Sequence, residues 1–327
     1  MSAIRRSGPL VSVVMPAYNA ARTISESVKS VLEQTIDDLE LVVVDDGSTD
    51  DTGSIVRSFD DPRIRYVRTE NSGVSAARNC GFAMSHGRYL QFLDSDDLLH
   101  PAKIERQIER MSADHDLSSA VCAWGRFSQH VDDLLVVRGP HWRDCDPLEH
   151  LRFELCGKGT MPPLVWLVPR PIAEQVGEWR VGVNRMEDTD YFARVAMASR
   201  HILFCGDTWG YYRSWQPGSL SAAAGRRTAE SMRASCRAIE QEMLKHFLLS
   251  DVQSILADMY RFAAIACYQH TLDIGRELEA DVRRLGGSDI HPGVGRWPRR
   301  LVTSLFGWPF AMRVTGLARW VRTAMRT

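Results

Sequence analysis

Residues 11–111 repeat one pattern four times: a short apolar run, a polar break, then a stretch with helical periodicity. Val11 to Met15, Leu39 to Val44, Arg63 to Arg68 and Tyr89 to Leu93 are the apolar runs and read as strands. The first helix opens at Thr23-Ile-Ser-Glu26, a capping-box pattern, and carries Ile24, Val28, Val31 and Leu32 on one face. Ile55 and Val56 mark a short helix, Ser75 to Ser85 an Ala-rich one, and Pro101 to Met111 one with proline in its first turn. Strands apolar on both faces belong inside a mostly parallel sheet flanked by helices and wound through right-handed crossovers, an α/β class. Such sheets bind ligands at the carboxyl ends of their strands. In this chain that edge gathers Tyr18-Asn19, Asp45-Asp46 and Asp94-Ser95-Asp96-Asp97.

From about Leu117 the alternation gives way to mixed strands, at Ala120 to Phe127, Leu134 to Arg138, Leu164 to Val168, Ile202 to Cys205 and Thr208 to Tyr212. Residues 1–220 therefore read as one catalytic-sized domain, with a ligand-binding half over 1–116 and an α+β half over 117–220. Residues 221–285 are helical in composition, with a break expected near Ser250-Asp251, and 286–327 hold a Gly/Pro linker and a basic tail.

The net charge of -1 conceals an asymmetry, because residues 283–327 hold nine Arg against one Asp. Seven scattered Cys without a CxxC argue against a disulfide framework or zinc knuckle and read as small buried apolar residues in a reducing compartment. No run reaches the ~20 apolar residues of a membrane span, and no secretory h-region precedes the first strand. The expected location is cytoplasmic.

The acidic loops carry the chemistry. In extended chain Asp94 and Asp96 would lie roughly 6.5 to 7 Å apart, too wide to clasp one ion symmetrically. One carboxylate on a hard divalent cation, with the other on a ribose hydroxyl or a metal-bound water, fits magnesium's habit of using few carboxylates plus phosphates. Asp45-Asp46-Gly47 can supply an acceptor for a nucleobase N–H; the alternative is an Asx turn with Gly47 at positive φ. Met186-Glu187-Asp188-Thr189-Asp190 opens a helical stretch, as a reactive acidic cluster or as an ordinary helix cap.

Val11-Ser-Val-Val-Met-Pro-Ala-Tyr-Asn19, Leu41-Val-Val-Val-Asp-Asp-Gly-Ser-Thr-Asp50, Gly73-Val-Ser-Ala-Ala-Arg-Asn79 and Tyr89-Leu-Gln-Phe-Leu-Asp-Ser-Asp-Asp97 together resemble glycosyltransferase family 2, with its GT-A fold, over roughly residues 10–215. The resemblance implies a nucleotide-sugar donor, UDP-linked, whose base pocket is lined by Pro16, Ala17 and Tyr18. It implies Asp46 as the uracil N–H acceptor, and Asp94, Ser95 and Asp96 as the DxD motif with Asp96 on Mg²⁺ or Mn²⁺. It also implies Asp188 as the base of an inverting hexosyl transfer to a hydroxyl of a glycan or lipid-linked acceptor. Arg78, for the donor diphosphate, and Arg213 are secondary candidates, while Trp166 and Trp179 read as core residues, with acceptor stacking as the alternative. The chain departs from processive synthases, having neither a QxxRW motif nor membrane spans.

Two other enzyme classes share a doubly wound sheet. Nucleotidyl transfer calls for a Gly- and basic-rich loop after the first strand and an NAD enzyme for GxGxxG, and Pro16-Ala-Tyr-Asn19 is neither. A catalytically silent sugar-binding relative is the non-enzymatic alternative. In the tail, Phe310, Val314, Leu317, Trp320 and Val321 share one helical face and Arg319, Arg322 and Arg326 another. Residues 296–327 thus suit an anionic membrane surface, or packing on the catalytic domain or a second subunit of a homo-oligomer. The acidic body speaks against nucleic acid.

Overall fold

The computed structural model describes residues 8–112, 117–136, 138–140, 142–157, 161–183, 185–214, 225–268 and 270–290. Its strands are β1 (Val11–Ala17), β2 (Leu39–Asp45), β3 (Ile64–Arg68), β4 (Tyr89–Phe92), β5 (Leu98–Leu99), β6 (Ser119–Phe127), β7 (Leu135–Val136), β8 (Trp166–Pro169) and β9 (Ile202–Arg213). The helices are α1 (Ile24–Leu32), α2 (Thr52–Arg57), α3 (Val74–Met84), α4 (Lys103–Ser112), α5 (Pro147–Glu154), α6 (Arg170–Val176), α7 (Glu187–Ala198), α8 (Arg226–His246), α9 (Leu249–Cys267) and α10 (Leu272–Arg284). The strands form one sheet ordered β3-β2-β1-β4-β8-β6-β9-β5, with β7 on β6. β1 to β4 run parallel, whereas β8 is antiparallel to both β4 and β6, and β6 parallel to β9.

The expected continuous apolar strands are the buried centre of this sheet. Val11, Val13, Val14, Met15 and Leu41 to Val44 are fully buried, and β1 pairs with β2 from Val11 opposite Leu39 to Ala17 opposite Asp45. β1 runs two residues past the expected stop at Pro16 for a local reason. Leu93 N donates to Val14 O, so Pro16, two residues on, faces the same side beyond the end of β4, where no ladder bond needs its missing N–H. α3 lies close over β1 and β2 because of Gly81, where a Cβ would come within 2.4 Å of Val14 Cγ1.

Two expected strands, Ile202 to Cys205 and Thr208 to Tyr212, are one: β9 continues across a bulge, its pairing with β6 jumping from Cys122 opposite Cys205 to Ala123 opposite Trp209. The two-residue β5 has no counterpart among the expected strands. Contacts divide the chain into two units, Met1–Leu151, Gly159–Gly182 and Glu187–Ser219 in the first, Arg152–Lys158, Val183–Met186 and Leu220–Thr327 in the second. In the second unit the expected break near Ser250 lies earlier, between His246 and Leu249, and a further one separates Cys267 from Leu272. Six of the seven Cys are buried, and Cys80 is half-buried. The basic tail at 296–327, with its three Trp, lies outside the described residues. Among the described residues, no helix is long and apolar enough to cross a membrane.

Candidate functional site

The loops after β1 and β2 are stitched together by their own polar side chains. Asn19, at φ 50°, accepts at Oδ1 from Thr49 N (2.8 Å), Ser48 Oγ accepts from Asn19 N (3.0 Å), and Asp50 Oδ2 accepts from Ala21 N (3.0 Å). Asp45 is the turn former: Oδ1 accepts from Ser48 N at 2.8 Å, Oδ2 accepts from the Tyr66 hydroxyl at 2.6 Å, and Gly47 takes φ 79°. Burial pushes the Asp45 carboxyl up, but the Ser48 and Tyr66 donors outweigh it and hold it below the usual range. Asp46 is also buried and has a different use. Its Oδ1 accepts from Ser72 N (2.8 Å) and its Oδ2 from Gly73 N (2.9 Å), so it anchors the start of α3. A carboxylate has about four acceptor sites, so two remain, and Asp46 N donates to Ala17 O at 2.8 Å, which sets the residue beside the end of β1. Pro16 and Ala17 are buried, whereas Tyr18 is half exposed and available to a ligand.

β4 ends at Phe92, so Asp94 and Asp96 do not sit on extended chain as the spacing argument assumed. They belong to a turn closed by Asp97 N donating to Asp94 O at 3.1 Å. Three outside groups hold it. Thr23 Oγ1 donates to Ser95 O (2.9 Å), Arg213 Nε donates to Asp96 O (2.8 Å), and Arg213 N donates to Asp97 Oδ1 (2.8 Å). The expected capping role of Thr23 is therefore not played: α1 has no side-chain cap bond, and the hydroxyl is spent on the DxD turn.

Arg78 joins the turn to α7. Its Nη2 donates to Asp94 Oδ1 at 2.7 Å, its guanidinium lies 4.3 Å over the Trp179 ring, and its Nε and Nη1 have no partner among the described residues. Burial works against its charge, and Asp94, Glu187 and Asp188 more than offset this, leaving its pKa raised. The neighbouring Asn79 clasps the Trp179 backbone, donating from Nδ2 to Trp179 O (2.9 Å) and accepting at Oδ1 from Trp179 N (2.8 Å). Trp179 in turn stacks on Tyr191, with centroids 4.1 Å apart, and Trp166 stacks on Phe192 at 4.7 Å. Both indoles are buried, in agreement with the core reading and against acceptor stacking, and Trp179 forms the floor under Arg78.

The acidic segment divides its labour. Asp190 is structural: it pairs with Arg180 and, at 3.1 Å, with Arg194. Asp188 accepts at Oδ1 from Thr189 N (2.8 Å), and burial raises its pKa. Glu187, which the motif reading passed over, is pushed up to about 7 by burial and by Asp188 against the pull of Arg78. Burial and Asp94 push Asp96 up to about 6. The structure thus brings Arg78, Asp94, Glu187 and Asp188 into one electrostatic cluster with Asp96 beside it, and places Asp46 with Pro16, Ala17 and Tyr18 in a second group. α3 spans the two, held at its start by Asp46 and in its second turn by Asp94.

These raised carboxyls set a pH dependence. The folded state binds more protons than the unfolded one between the ordinary carboxyl range and about pH 7, so stability falls as pH rises through that window. In metal-free protein the melting temperature is expected to drop by a few degrees between pH 5 and pH 8, read by differential scanning fluorimetry; a flat or rising profile would contradict the cluster.

A divalent cation fits the Asp96 side of the turn. The donors there are carboxylate oxygens, Asp94 and Asp96 repel one another, and Arg213 is spent on the Asp96 carbonyl rather than its carboxylate. No group of three His, Cys, Asp or Glu among the described residues could hold a metal ion.

Comparison with known proteins agrees with this architecture. A solved structure of S. aureus TarS 1-349 in complex with UDP-GlcNAc superposes with a TM-score of 0.66 at 18% identity, covering 84% of this chain and 79% of that one. The GT-A fold is thereby shown. An uncharacterized glycosyltransferase of Rickettsia prowazekii, RP339, is 31% identical over 183 residues, 56% of this chain and 57% of that protein. The UDP-Glc:alpha-D-GlcNAc-diphosphoundecaprenol beta-1,3-glucosyltransferase WfgD of Escherichia coli is 47% identical over 103 residues, 31% of this chain and 41% of that one. The chain thus spans about half the length of these relatives. The family model for glycosyl transferase family 2 matches residues 12–175, half of the chain. With the acidic turn, the β1 and β2 loops and the α3 arginine all inside that match, the chain belongs to glycosyl transferase family 2.

Proposed function

We propose that this chain transfers a sugar from a UDP-sugar to a hydroxyl of a glycan or lipid-linked acceptor, with inversion and with help from Mg²⁺ or Mn²⁺. The observation that carries the reading is Arg78: a buried cation, tied through Nη2 to Asp94, with Nε and Nη1 unpartnered among the described residues and the Glu187-Asp188 pair in its field. A buried guanidinium with spare donors is built for an incoming anion, and a donor diphosphate is the anion this family's chemistry supplies. TarS in complex with UDP-GlcNAc and WfgD as a glucosyltransferase support the donor and acceptor classes.

In this reading Pro16, Ala17 and Tyr18 flank the base, and the free lone pairs of Asp46 accept its N–H. Asp96 would hold the cation, which when bound neutralises charge on the departing diphosphate. Asp188 Oδ1 is occupied by the Thr189 amide, which leaves Oδ2 to take the proton of the attacking hydroxyl. One displacement with a base on the acceptor side inverts the anomeric centre. The basic tail is proposed to meet the anionic membrane surface where a lipid-linked acceptor resides.

Incubation with a set of UDP-sugars, with and without Mg²⁺ or Mn²⁺, tests the reading. UDP release is expected only with metal, accompanied by a metal-induced rise in melting temperature at pH 8. Absence of release from every UDP-sugar by a protein that binds UDP would leave the silent relative as the answer.

A further inference from the structure

A cavity of about 600 Å³ opens at the carboxyl ends of β6 and β9, beside the start of α1 and β5. None of Pro16, Ala17, Tyr18, Asp46, Arg78 or Asp188 lines it, so it is separate from the groups assigned to the donor and the base. Its size lies within the ~300–1,000 Å³ typical of ligand sites. We infer that this cavity is a carbohydrate subsite, which receives neutral sugar units of the acceptor beyond the one that reacts. The inference rests on the sugar-transfer reading and extends it to a place.

The lining chemistry selects the ligand class. Thr23, Ser128, Gln129 and Ser214 present hydroxyl and amide groups, which both donate to and accept from sugar hydroxyls. Its charged lining is mixed: the buried Arg213 pairs with Glu26 across the wall, so its charge is already met. Arg22 and His130 are exposed, where solvent screens them, so they make a weak anchor for a phosphate. The Phe127 ring is covered by the Arg213 guanidinium at 4.5 Å, and the remaining apolar groups, Leu98 and Val131, are single aliphatic side chains of the kind that pack against sugar C–H faces. Asp188 is absent from the wall, so the hydroxyl that reacts is not the one held here.

Position ties the cavity to the reaction centre. Two of its lining residues are the ones that fix the DxD turn: Thr23 through Ser95 O at 2.9 Å and Arg213 through Asp96 O at 2.8 Å. A sugar chain seated against Thr23 and Arg213 therefore touches the supports of the metal-side turn without touching its carboxylates.

The test uses the full chain and four neutral probes: maltotetraose, cellotetraose, laminaritetraose and tetra-N-acetylchitotetraose. Broadening of their proton NMR lines on adding protein reports binding, and UDP is followed in parallel. At least one glycan is expected to broaden with the wild-type chain and to lose that effect in Ser128→Trp, which fills the cavity, while UDP broadening persists. Gln129→Ala, a milder change, is expected to weaken the same glycan about 2- to 10-fold, the effect of one lost hydrogen bond. If Ser128→Trp loses UDP binding through misfolding, Gln129→Ala decides. Silence of all four glycans, or glycan binding unchanged in the deciding variant, overturns the subsite. Failure of UDP to bind the wild-type chain would instead sink the sugar-transfer reading itself.

Discussion

Asp188→Asn is expected to lower transfer by about 10²- to 10⁴-fold, the range for loss of a general base, while UDP binding stays at the wild-type value. Asparagine keeps an acceptor for the Thr189 amide, so the start of α7 is preserved and only the proton acceptor is lost. The pH profile should carry the same signature. Glu187 and Asp188 titrate as a pair, and burial raises both. Wild-type kcat/KM is therefore expected to fall on the acid side at a pH unusually high for a carboxylate base, and Glu187→Gln, which removes the like charge beside Asp188, to move that fall to lower pH. Full transfer by Asp188→Asn, measured as UDP release with acceptor present, would remove Asp188 from the reaction.

The parallel half of the sheet was legible because burial on two faces writes an unbroken apolar run: β1, β2 and β4 lie where Val11-Met15, Leu39-Val44 and Tyr89-Leu93 place them. β5 was not, since Leu98 and Leu99 are too few to show a period, and their strand pairing is supplied by Tyr211 and Gly210, far along the chain. The same division runs through the site. Residue types at strand ends pointed to Asp46, Asp94 and Asp96, whereas Asp188 and Arg78, on α7 and α3, came with the family resemblance. What each touches depends on partners without local signal: Asp46 on Ser72 and Gly73, Thr23 on Ser95, Asn79 on the Trp179 backbone. Glu187 was passed over because its significance is not its type but its burial next to Asp188, which only the packed helix creates. Trp179 was legible as a core residue, but its use as the floor under Arg78 was not, since that depends on α3 lying beside it.

Arg78→Met is expected to be the most destabilising single change near the site. The substitution keeps apolar bulk over the Trp179 ring but removes the charge that Asp94, Glu187 and Asp188 share, and removing one partner of a buried pair costs about 3–5 kcal/mol. At about 2–4 °C per kcal/mol for a domain of this size, the melting temperature should fall by roughly 10 °C at pH 8. The sign of the pH effect separates charge from packing. As pH falls towards 5 the raised carboxyls take up protons and need less compensation, so the deficit of Arg78→Met relative to wild type should shrink. Arg78→Lys should recover only part of the loss, because an ammonium neither stacks flat on the indole nor offers the spare in-plane N–H groups. A deficit equal at pH 5 and pH 8 would mean that Arg78 matters as a packed side chain over Trp179. The cluster would then have to hold its carboxylates by some other means, and the argument that this arginine waits for a diphosphate would lose its basis.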